Sequence, residues 1–364
     1  MSGRKKGDGG SSGEGPLWKR ITDELAARIT GGKYRKGDGF HTQRELCERY
    51  KVSTITSVRV LDELAARGLI AKTQGKSCVV RRTVVDRDVL LVCRLVPPGG
   101  SGMSPATIAS ELVQGMGIGL AESGCRLRPV ALDALVGTPP DPSTLLLTIY
   151  GAHVPEQLLS LLGAWGCRCV CCHAPHAVAG LSTVREDHAT GVELGMAHLI
   201  GQGHRRIGYI TTKVTSEWYV TRFAGYHKAL QDHGLAMDLE LVKELPDRAR
   251  AGDETALREL LALPDPPTAV FISNQERALH IVEYCKQNKV RIPRDLAVVS
   301  FDNAYETSLC DPPLTVVDGH WREEGEAAAR LLLDLAEQEN PDPQDILITP
   351  DLVVRASSGA GRRS

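Results

Sequence analysis

Four of the ten cysteines in this chain lie within residues 167–172, with the sequence CRCVCC, and two histidines, His173 and His176, follow closely. Thiolate and imidazole groups are the ligands of tetrahedral zinc sites, so this cluster is a candidate metal or thiol sensor. The alternating spacing is also typical of a buried strand, in which free cysteine behaves as a small apolar residue. Ligands on one straight strand cannot surround a metal ion without a turn, so we expect a buried strand, no metal site and no cofactor.

Residue patterns that support catalysis are missing from the sequence. It contains no nucleophile elbow, no Walker phosphate-binding loop and no metalloprotease motif. The glycines that come nearest to a phosphate loop, Gly195, Gly201 and Gly203, follow the pattern of a helix and its end. The sequence therefore predicts a protein that is not an enzyme.

Length and composition indicate a soluble globular protein of more than one domain. The chain has 364 residues, 42% of them apolar and 24% charged, and domains usually contain about 100–200 residues. No apolar run approaches the roughly 18–20 residues that span a bilayer, and the first residues contain no secretory signal. We expect a cytoplasmic protein with reduced cysteines and no membrane partner.

The charge is divided unevenly along the chain. Residues 1–82 contain 18 basic and 9 acidic side chains, a net charge of +9, whereas the remaining residues contain 25 basic and 36 acidic side chains, a net charge of −11. A basic segment joined to a larger acidic one is typical of a small nucleic-acid-binding module attached to a soluble domain.

The basic segment has the pattern of three helices. Residues 1–15 contain only small and charged side chains apart from Met1, so we expect a disordered tail. Apolar residues recur every fourth position over residues 17–29, which predicts a helix that stops at the glycine pair 31–32. Thr42 and Glu45 form a capping box that begins a second helix over residues 43–50.

A third helix and a short hairpin complete this segment. Ser53 follows a tight corner and is placed to cap a helix that ends near residue 67. Residues 69–72 and 77–80 read as two short strands around a glycine-containing turn. The order predicts a winged helix-turn-helix domain over residues 16–82, with its third helix in the major groove of DNA.

Residues 41–80, HTQRELCERYKVSTITSVRVLDELAARGLIAKTQGKSCVV, resemble the DNA-binding domain of GntR-type transcription regulators. The resemblance implies that Arg44 contacts the DNA backbone, that Thr56 lies on the recognition helix, and that Gly75 and Lys76 form the wing tip. The chain departs from the usual pattern in three places. Thr54 and Val58 stand where the family often has arginine, and Ser77 replaces the second glycine of the wing.

Few side chains are available for reading bases. Arginine is the main bidentate reader of guanine, and only Arg44 and Arg59 lie in or near the two helices. The hydroxyls of Thr54, Thr56 and Ser57 are candidates for contacts with phosphate or thymine methyl groups, and Lys76 for a phosphate contact. The predicted DNA-binding residues are Arg44, Ser53, Thr54, Thr56, Arg59, Gly75 and Lys76.

After a linker over residues 83–88, strands and helices alternate from residue 89 onward. Alternation of this length predicts parallel sheets covered by helices on both sides. With about six strands in each half, the pattern indicates two doubly wound lobes, with a ligand between them at the carboxyl ends of the strands. The predicted fold class is therefore α/β, and the ligand domain covers residues 89–364.

The acidic segment resembles the effector domain of LacI/GalR-type repressors, which is itself similar to periplasmic sugar-binding proteins. HLIGQGHRRIGYI, RFAGYHKALQDHGL, TAVFISNQERAL, IPRDLAVVSFDNAYETSLCDPPLTVV and ITPDLVVRASS follow the landmarks of that domain in order. The likeness is dense over residues 184–358 and limited to the pattern over residues 88–182. A GntR-type head on a LacI/GalR-type domain resembles the arabinose-repressor subset of bacterial regulators.

The second resemblance implies an effector site formed by side chains at strand ends. Carboxylates, a guanidinium and an amide can pair with neighbouring sugar hydroxyls, and an indole can cover an apolar sugar face. Gln275 and His188 depart from the usual pattern, and residues 133–141 are short for the helix that normally joins two strands of the first lobe. The predicted effector-binding residues are Asp187, Arg222, Asn274, Asp302 and Trp321.

The sequence thus predicts a ligand-responsive transcription regulator, by default a repressor that a sugar releases from its operator. A homodimer would present two heads to two half-sites, so we expect an inverted-repeat operator. A corepressor in place of an inducer stays open. The alternative is a regulator that responds to thiol oxidation or metal through the cluster at residues 167–176.

Overall fold

The computed structural model describes residues 16–31, 33–34, 37–72, 78–81, 88–93, 104–121, 123–149, 161–162, 164–212, 217–246 and 250–359. They form two units. The first comprises Met1–Asp88 with Leu120–Arg126, and the second Val89–Gly119 with Leu127–Ser364. The predicted tail, the wing tip with Gly75 and Lys76, and all of the predicted linker except Asp88 lie outside the described residues. Across the described parts, no helix has both the length and the apolar character needed to cross a membrane.

The first unit contains the three predicted helices and the hairpin. Apolar side chains from all five elements, among them Leu25, Leu46 and Leu64, form one buried core. The two strands pair antiparallel. The elements are α1 (Leu17–Thr30), α2 (Gln43–Tyr50), α3 (Thr54–Ala66), β1 (Ile70–Ala71) and β2 (Val79–Val80).

Local side-chain caps set the turn between α2 and α3. The predicted capping box is confirmed, because the Thr42 hydroxyl accepts the Glu45 N–H while a Glu45 carboxylate oxygen accepts the Thr42 N–H at 2.8 Å. These hydrogen bonds from Thr42 lower the pKa of Glu45. Lys51 ends α2 in a left-handed conformation, and the Ser53 hydroxyl then accepts the Thr56 N–H to begin α3. The corner therefore fixes where α3 starts.

The second unit is an α/β structure with two six-stranded sheets, as predicted. Parallel pairing dominates both sheets, because each crossover passes through a helix or a long connection. The elements, in chain order, are β3 (Asp88–Cys93), α4 (Ser104–Leu120), β4 (Arg126–Ala131), α5 (Leu132–Gly137), β5 (Leu145–Ile149), β6 (Arg168–Cys172), β7 (Ser182–Glu186), α6 (His188–Gly201), β8 (Ile207–Thr212), α7 (Glu217–Asp232), β9 (Val242–Leu245), α8 (Arg250–Leu261), β10 (Ala269–Ile272), α9 (Gln275–Gln287), β11 (Ala297–Phe301), α10 (Tyr305–Leu309), β12 (Thr315–Asp318), α11 (Trp321–Ala336), β13 (Asp345–Ile348) and β14 (Asp351–Val353).

Each sheet is the centre of one lobe. Lobe 1 has the strand order β13, β7, β6, β5, β3, β4, and lobe 2 has the order β14, β12, β11, β10, β8, β9. The prediction of parallel sheets needs one correction, because β14 runs antiparallel to β12 at the edge of lobe 2. Interior strands such as β8, β10 and β11 are buried throughout, which explains their nearly continuous apolar sequences.

The chain passes between the lobes at three crossovers. β7 of lobe 1 leads through Asp187 to α6 of lobe 2, β12 leads back to α11, and β13 leads to β14. The Asp187 N–H donates to the Ile348 carbonyl at 3.0 Å, which ties the first crossover to the third. A Cβ at Gly319 would lie 1.1 Å from a Glu186 carboxylate oxygen, so the first and second crossovers touch. These three segments bring the ends of β7, β12 and β13 together.

The connection over residues 133–141 is short for the helix that normally joins two strands of the first lobe. In the structure it is largely taken up by the six-residue helix α5, which begins at Leu132.

Candidate functional site

Two of the predicted DNA-binding residues, Arg44 of α2 and Thr54 of α3, lie on the outer surface of the head. Arg44 and Thr54 line the same concave surface as Val58 and Lys72. The Arg44 side chain is 88% exposed, and its Nε donates to Glu48 at 2.9 Å. These two predicted residues therefore lie on one accessible face of the head.

The other predicted residues of α3 are differently placed. The Thr56 hydroxyl lies 3.0 Å from the Ser53 hydroxyl within the cap. Ser57, one of three candidate hydroxyls, is fully buried and donates its hydroxyl hydrogen to the Thr54 carbonyl, so it does not lie on the accessible face. The Arg59 guanidinium lies 4.1 Å from the centre of the Trp18 ring, a cation–π contact with α1.

In the second unit, the structure brings together two of the five predicted effector-binding residues. Arg222 lies in α7, and Asp302 follows β11 directly with φ 77°. A guanidinium nitrogen of Arg222 lies 3.2 Å from an Asp302 carboxylate oxygen, and a second donates to the Ser273 carbonyl. The guanidinium also lies 3.7 Å from the centre of the Phe301 ring. The pair is thus fixed by the ends of β10 and β11.

A carboxyl group and an imidazole from the first crossover complete this cluster. Glu186 ends β7 and His188 begins α6, and their side chains approach to 3.1 Å. Burial raises the pKa of Glu186 to about 8, although His173 and Arg222 oppose the shift. Burial, reinforced by Arg222, holds the pKa of His188 well below its usual value. Near neutral pH, both groups are therefore mainly uncharged.

Lobe 1 contributes a second imidazole and carboxylate. Glu324 is fully buried on α11, and its carboxylate accepts the backbone N–H of His173 at 2.6 Å. The His173 ring nitrogen lies 3.3 Å from the other carboxylate oxygen. Burial lowers the pKa of His173, but the Glu324 carboxylate and its neighbours outweigh that effect and raise it. Glu324 thus favours the protonated form of His173.

Contacts from lobe 1 to lobe 2 lie beside this cluster. The His173 ring centre is 6.1 Å from that of Trp218, which lies in the first turn of α7. His176 and Glu217 approach to 2.9 Å, and both side chains are about half exposed. These contacts join the segment after β6 to the start of α7.

The three remaining predicted effector-binding residues begin helices. The Asp187 carboxylate accepts the backbone N–H and the hydroxyl of Thr190, and thereby caps α6. The Asn274 side-chain oxygen accepts the Arg277 N–H and caps α9. Trp321 begins α11 and is buried, and its indole N–H has no hydrogen-bond partner among the described residues. The structure does not place these three in the Arg222–Asp302 cluster.

Sequence reasoning missed four members of the buried cluster: Glu186, His188, His173 and Glu324. Glu186 and His188 flank the predicted Asp187, and a strand end followed by a helix start was the available signal. His173 directly follows the cysteine strand. No sequence signal identifies Glu324, which lies 151 residues from His173 on the face of a helix.

The cysteine-rich segment is the predicted buried strand, β6. Cys169, Cys171 and Cys172 are buried, and burial raises the pKa of Cys171 to about 12 and those of the other two well above their usual value. The Cys172 thiol donates to Glu324 at 3.7 Å. Within the described residues, no three metal-ligating side chains of His, Cys, Asp or Glu lie close enough to bind one ion. Protonated thiols are poor metal ligands and poor nucleophiles.

Comparison with protein families assigns both parts of the chain. Residues 17–80 match the bacterial regulatory proteins of the gntR family, and residues 196–358 match the periplasmic binding protein-like domain. The chain therefore combines a GntR-type winged helix-turn-helix domain with a periplasmic-binding-protein-like domain. Both resemblances drawn from the sequence are confirmed, whereas the arabinose-repressor subset stays a prediction.

Two similar curated proteins are named as HTH-type transcriptional repressors. The chain is 34% identical over 180 residues to the HTH-type transcriptional repressor CytR of Escherichia coli K12, covering 50% of this chain and 52% of CytR. It is 34% identical over 174 residues to the repressor PurR of Mannheimia succiniciproducens, covering 48% and 52%. The chain thus spans about half the length of these curated relatives.

A solved structure extends the similarity of fold to almost the whole chain. The transcriptional regulator CelR, solved as a cellobiose complex, has a TM-score of 0.63 and 23% identity to this chain. The alignment covers 94% of this chain and 99% of CelR.

Proposed function

We propose that this protein is a ligand-responsive transcription regulator that represses its target genes. In this proposal the N-terminal head binds operator DNA, and a small sugar-like molecule binds between the lobes of the second unit. The observation that carries the proposal is the buried cluster of Arg222, Asp302, Glu186 and His188 beside the lobe crossovers. It occurs in a chain whose first part matches a family of bacterial regulatory proteins.

The buried cluster is suited to a polyhydroxylated ligand. Asp302 is an acceptor and Arg222 a donor for neighbouring hydroxyl groups, and a protonated Glu186 can both donate and accept. Neither carboxyl oxygen of Glu186 makes a hydrogen bond of good geometry within the described residues, although a His188 ring nitrogen lies 3.1 Å from one of them. A buried polar group without a partner is costly, so a ligand hydroxyl that satisfies it would gain affinity. The cellobiose in the CelR structure supports a sugar as the ligand class.

Ligand control of DNA binding follows from the two-lobed construction. A ligand that binds one lobe arrangement better shifts the population toward it, and DNA affinity changes if that arrangement alters the spacing of two heads. A homodimer provides the two heads and implies an inverted-repeat operator. Exposed Tyr305 and Leu309 on α10 are an apolar surface available for dimerisation.

Repression rather than catalysis is favoured by the relatives, which are named as transcriptional repressors. We place the protein in the cytoplasm, where its DNA is found. The thiol or metal alternative receives no support from β6, since its buried thiols have raised pKa values.

The proposal is tested on the full chain. A panel of monosaccharides, disaccharides and nucleosides is screened by thermal shift, and duplexes enriched from a random pool are used to measure DNA affinity with and without each hit. We expect at least one compound to raise the melting temperature and to change DNA affinity by about 5- to 150-fold. A chain that binds neither duplex DNA at low salt nor any compound of the panel contradicts the proposal.

A further inference from the structure

The outward face of α3 is unusually apolar for a surface proposed to bind DNA. Ile55 is 82% exposed and Val58 is 37% exposed, whereas Val60, Leu61 and Leu64 of the same helix are buried in the core. Ile55 and Val58 are three positions apart, so their side chains are neighbours on one side of the helix. Two large apolar side chains are therefore exposed, in whole or in part, on this side of α3.

The charged groups next to this face are directed elsewhere. The Arg59 guanidinium stacks on Trp18 of α1. Asp62, one turn further along α3, forms an ion pair with Lys72 at the end of β1. Arg44 approaches the same surface from α2, where it is paired with Glu48. The centre of the face is consequently left to Ile55 and Val58, together with Thr54 at its beginning.

We propose that Ile55 and Val58 determine operator specificity by contacting thymine methyl groups in the major groove. This inference rests on the proposed function, since it requires that α3 enters duplex DNA. Among the edges of the base pairs, the C5 methyl of thymine is the group that an aliphatic side chain can recognise. The half-site therefore contains A·T pairs at the positions opposite these two residues.

The positive charge of the head favours DNA as the partner that covers this apolar face. Residues 1–82 have a net charge of +9, which attracts a polyanion and disfavours a basic partner. Arg44 and Lys72 line the same concave surface as Val58, so two cationic side chains lie beside the apolar face, where phosphate can compete with their acidic partners Glu48 and Asp62. Phosphate contacts set the position of the helix, and the methyl contacts then distinguish sequences.

The experiment replaces thymine by deoxyuridine, which removes only the methyl group. The full chain selects binding sites from a random duplex pool, and each thymine of the selected half-site is then replaced in turn. Burying one methyl group is worth about a fourfold change in affinity. We expect wild-type protein to lose about fourfold in affinity at one or two positions of each half-site.

Two variants connect that loss to the named residues. Ile55→Ala and Val58→Ala should each bind the thymine duplex more weakly and should each lose the discrimination against deoxyuridine at one position. Leu17→Ala removes an exposed apolar side chain elsewhere on the head, on α1, and should keep full discrimination. Both α3 side chains are solvent-exposed, so circular dichroism and melting temperature should match wild type.

The outcomes separate this inference from the proposed function. If the protein selects a defined site but discriminates no thymine from deoxyuridine, or if both alanine variants keep the wild-type discrimination, the methyl contacts are refuted while DNA binding stands. If no duplex is enriched even at low salt, the proposed function and this inference fall together.

Discussion

The guanidinium of Arg222 lies 3.2 Å from the Asp302 carboxylate, and the two side chains are only 7% and 6% exposed. A buried ion pair of this kind is weakly stabilising as a pair, but loss of one partner leaves an uncompensated charge. The guanidinium also contacts the Ser273 carbonyl and the Phe301 ring. A His188 ring nitrogen lies 3.5 Å from it and a Glu186 carboxyl oxygen 3.8 Å from it. Asp302 is therefore the nearest carboxylate to Arg222.

Asp302→Asn should lower the free energy of unfolding by about 3 kcal/mol, because it leaves the Arg222 charge buried without its closest counter-charge. Asparagine tolerates the left-handed backbone that Asp302 adopts at φ 77°, so backbone strain is not added. Urea denaturation of the full chain measures the change. Asp265→Asn, at an ion pair whose aspartate is 78% exposed, should have a much smaller effect.

The same substitution should remove the ligand response. A compound that raises the melting temperature of wild type should leave that of Asp302→Asn unchanged, because the carboxylate acceptor for its hydroxyl groups is lost. A variant stabilised by the compound as strongly as wild type would exclude Asp302 from the effector site.

Glu186→Gln should flatten the pH dependence of stability between pH 6.5 and 8. Burial raises the pKa of Glu186 from 4.5 to about 8, against the opposing effect of His173 and Arg222. The folded chain therefore holds a proton that the unfolded chain has released. The contribution of Glu186 to the free energy of unfolding is fully present below about pH 4.5 and is lost as the pH rises toward 8. The loss is at most about 1.4 kcal/mol per pH unit.

The imidazoles of His188 and His173 also change protonation on unfolding, so they limit the pH range in which the effect of Glu186 on stability can be measured. The pKa of His188 is lowered by burial, so its contribution grows as the pH rises through 6.5 and levels off about one pH unit above that value. The pKa of His173 is raised by Glu324 and, more weakly, by Glu186 in spite of burial, so stability from His173 is lost as the pH rises above 6.5. Urea denaturation at four pH values from 6.5 to 8 gives the slopes. Glu323→Gln, an exposed glutamate, should retain the wild-type slope, and an equal slope in Glu186→Gln contradicts the assignment.

Arg44→Ala should weaken binding to the selected duplex without changing the fold. Arg44 lies in the first turn of α2, and its side chain is 88% exposed. From there it can reach a phosphate beside the groove that α3 enters. Loss of one phosphate contact should reduce the slope of log affinity against log salt by about one and should affect all sequences alike. Fluorescence anisotropy over a salt series measures both effects.

Arg67→Ala provides the matched control for this prediction. Arg67 directly follows the C-terminal end of α3 and is paired with Asp23 and Glu63 within the head. Its removal should leave the salt slope unchanged. An unchanged slope in Arg44→Ala as well would remove Arg44 from the interface.

Short-range chemistry made part of this structure predictable. The capping box of Thr42 and Glu45 follows from two side chains three positions apart, and β6 follows from alternating small apolar residues. The approach of Arg222 to Asp302 was predictable only through the family resemblance, because 80 residues separate them.

Other features depend on contacts that no local pattern specifies. Glu324 reaches His173 only because α11 packs across β6, and Arg59 turns toward Trp18 because α1 packs beside α3. A helix-capping role for Asp187 was also hidden, since a carboxylate before a helix is compatible with either a cap or a ligand contact. Tertiary packing decides such choices.

Two glycines of α4 should respond oppositely to alanine, because α4 and α11 touch through their backbones. A Cβ at Gly115 would lie 1.9 Å from the Arg322 carbonyl oxygen, whereas a Cβ at Gly117 meets nothing within 4 Å. Gly117→Ala should stabilise the fold by up to about 1 kcal/mol through helix propensity. Gly115→Ala should destabilise it by about 1–3 kcal/mol, since α11 must move away.

The same displacement should reach the proposed effector site. α11 carries Trp321 and Glu324, so a shift of this helix loosens the contact between Glu324 and His173. Gly115→Ala should therefore lose part of the ligand-induced rise in melting temperature, whereas Gly117→Ala should keep all of it. Thermal shift with a compound that stabilises wild type compares the two variants. Equal ligand responses, with Gly115→Ala less stable, would show that α11 packing supports the fold without positioning the site.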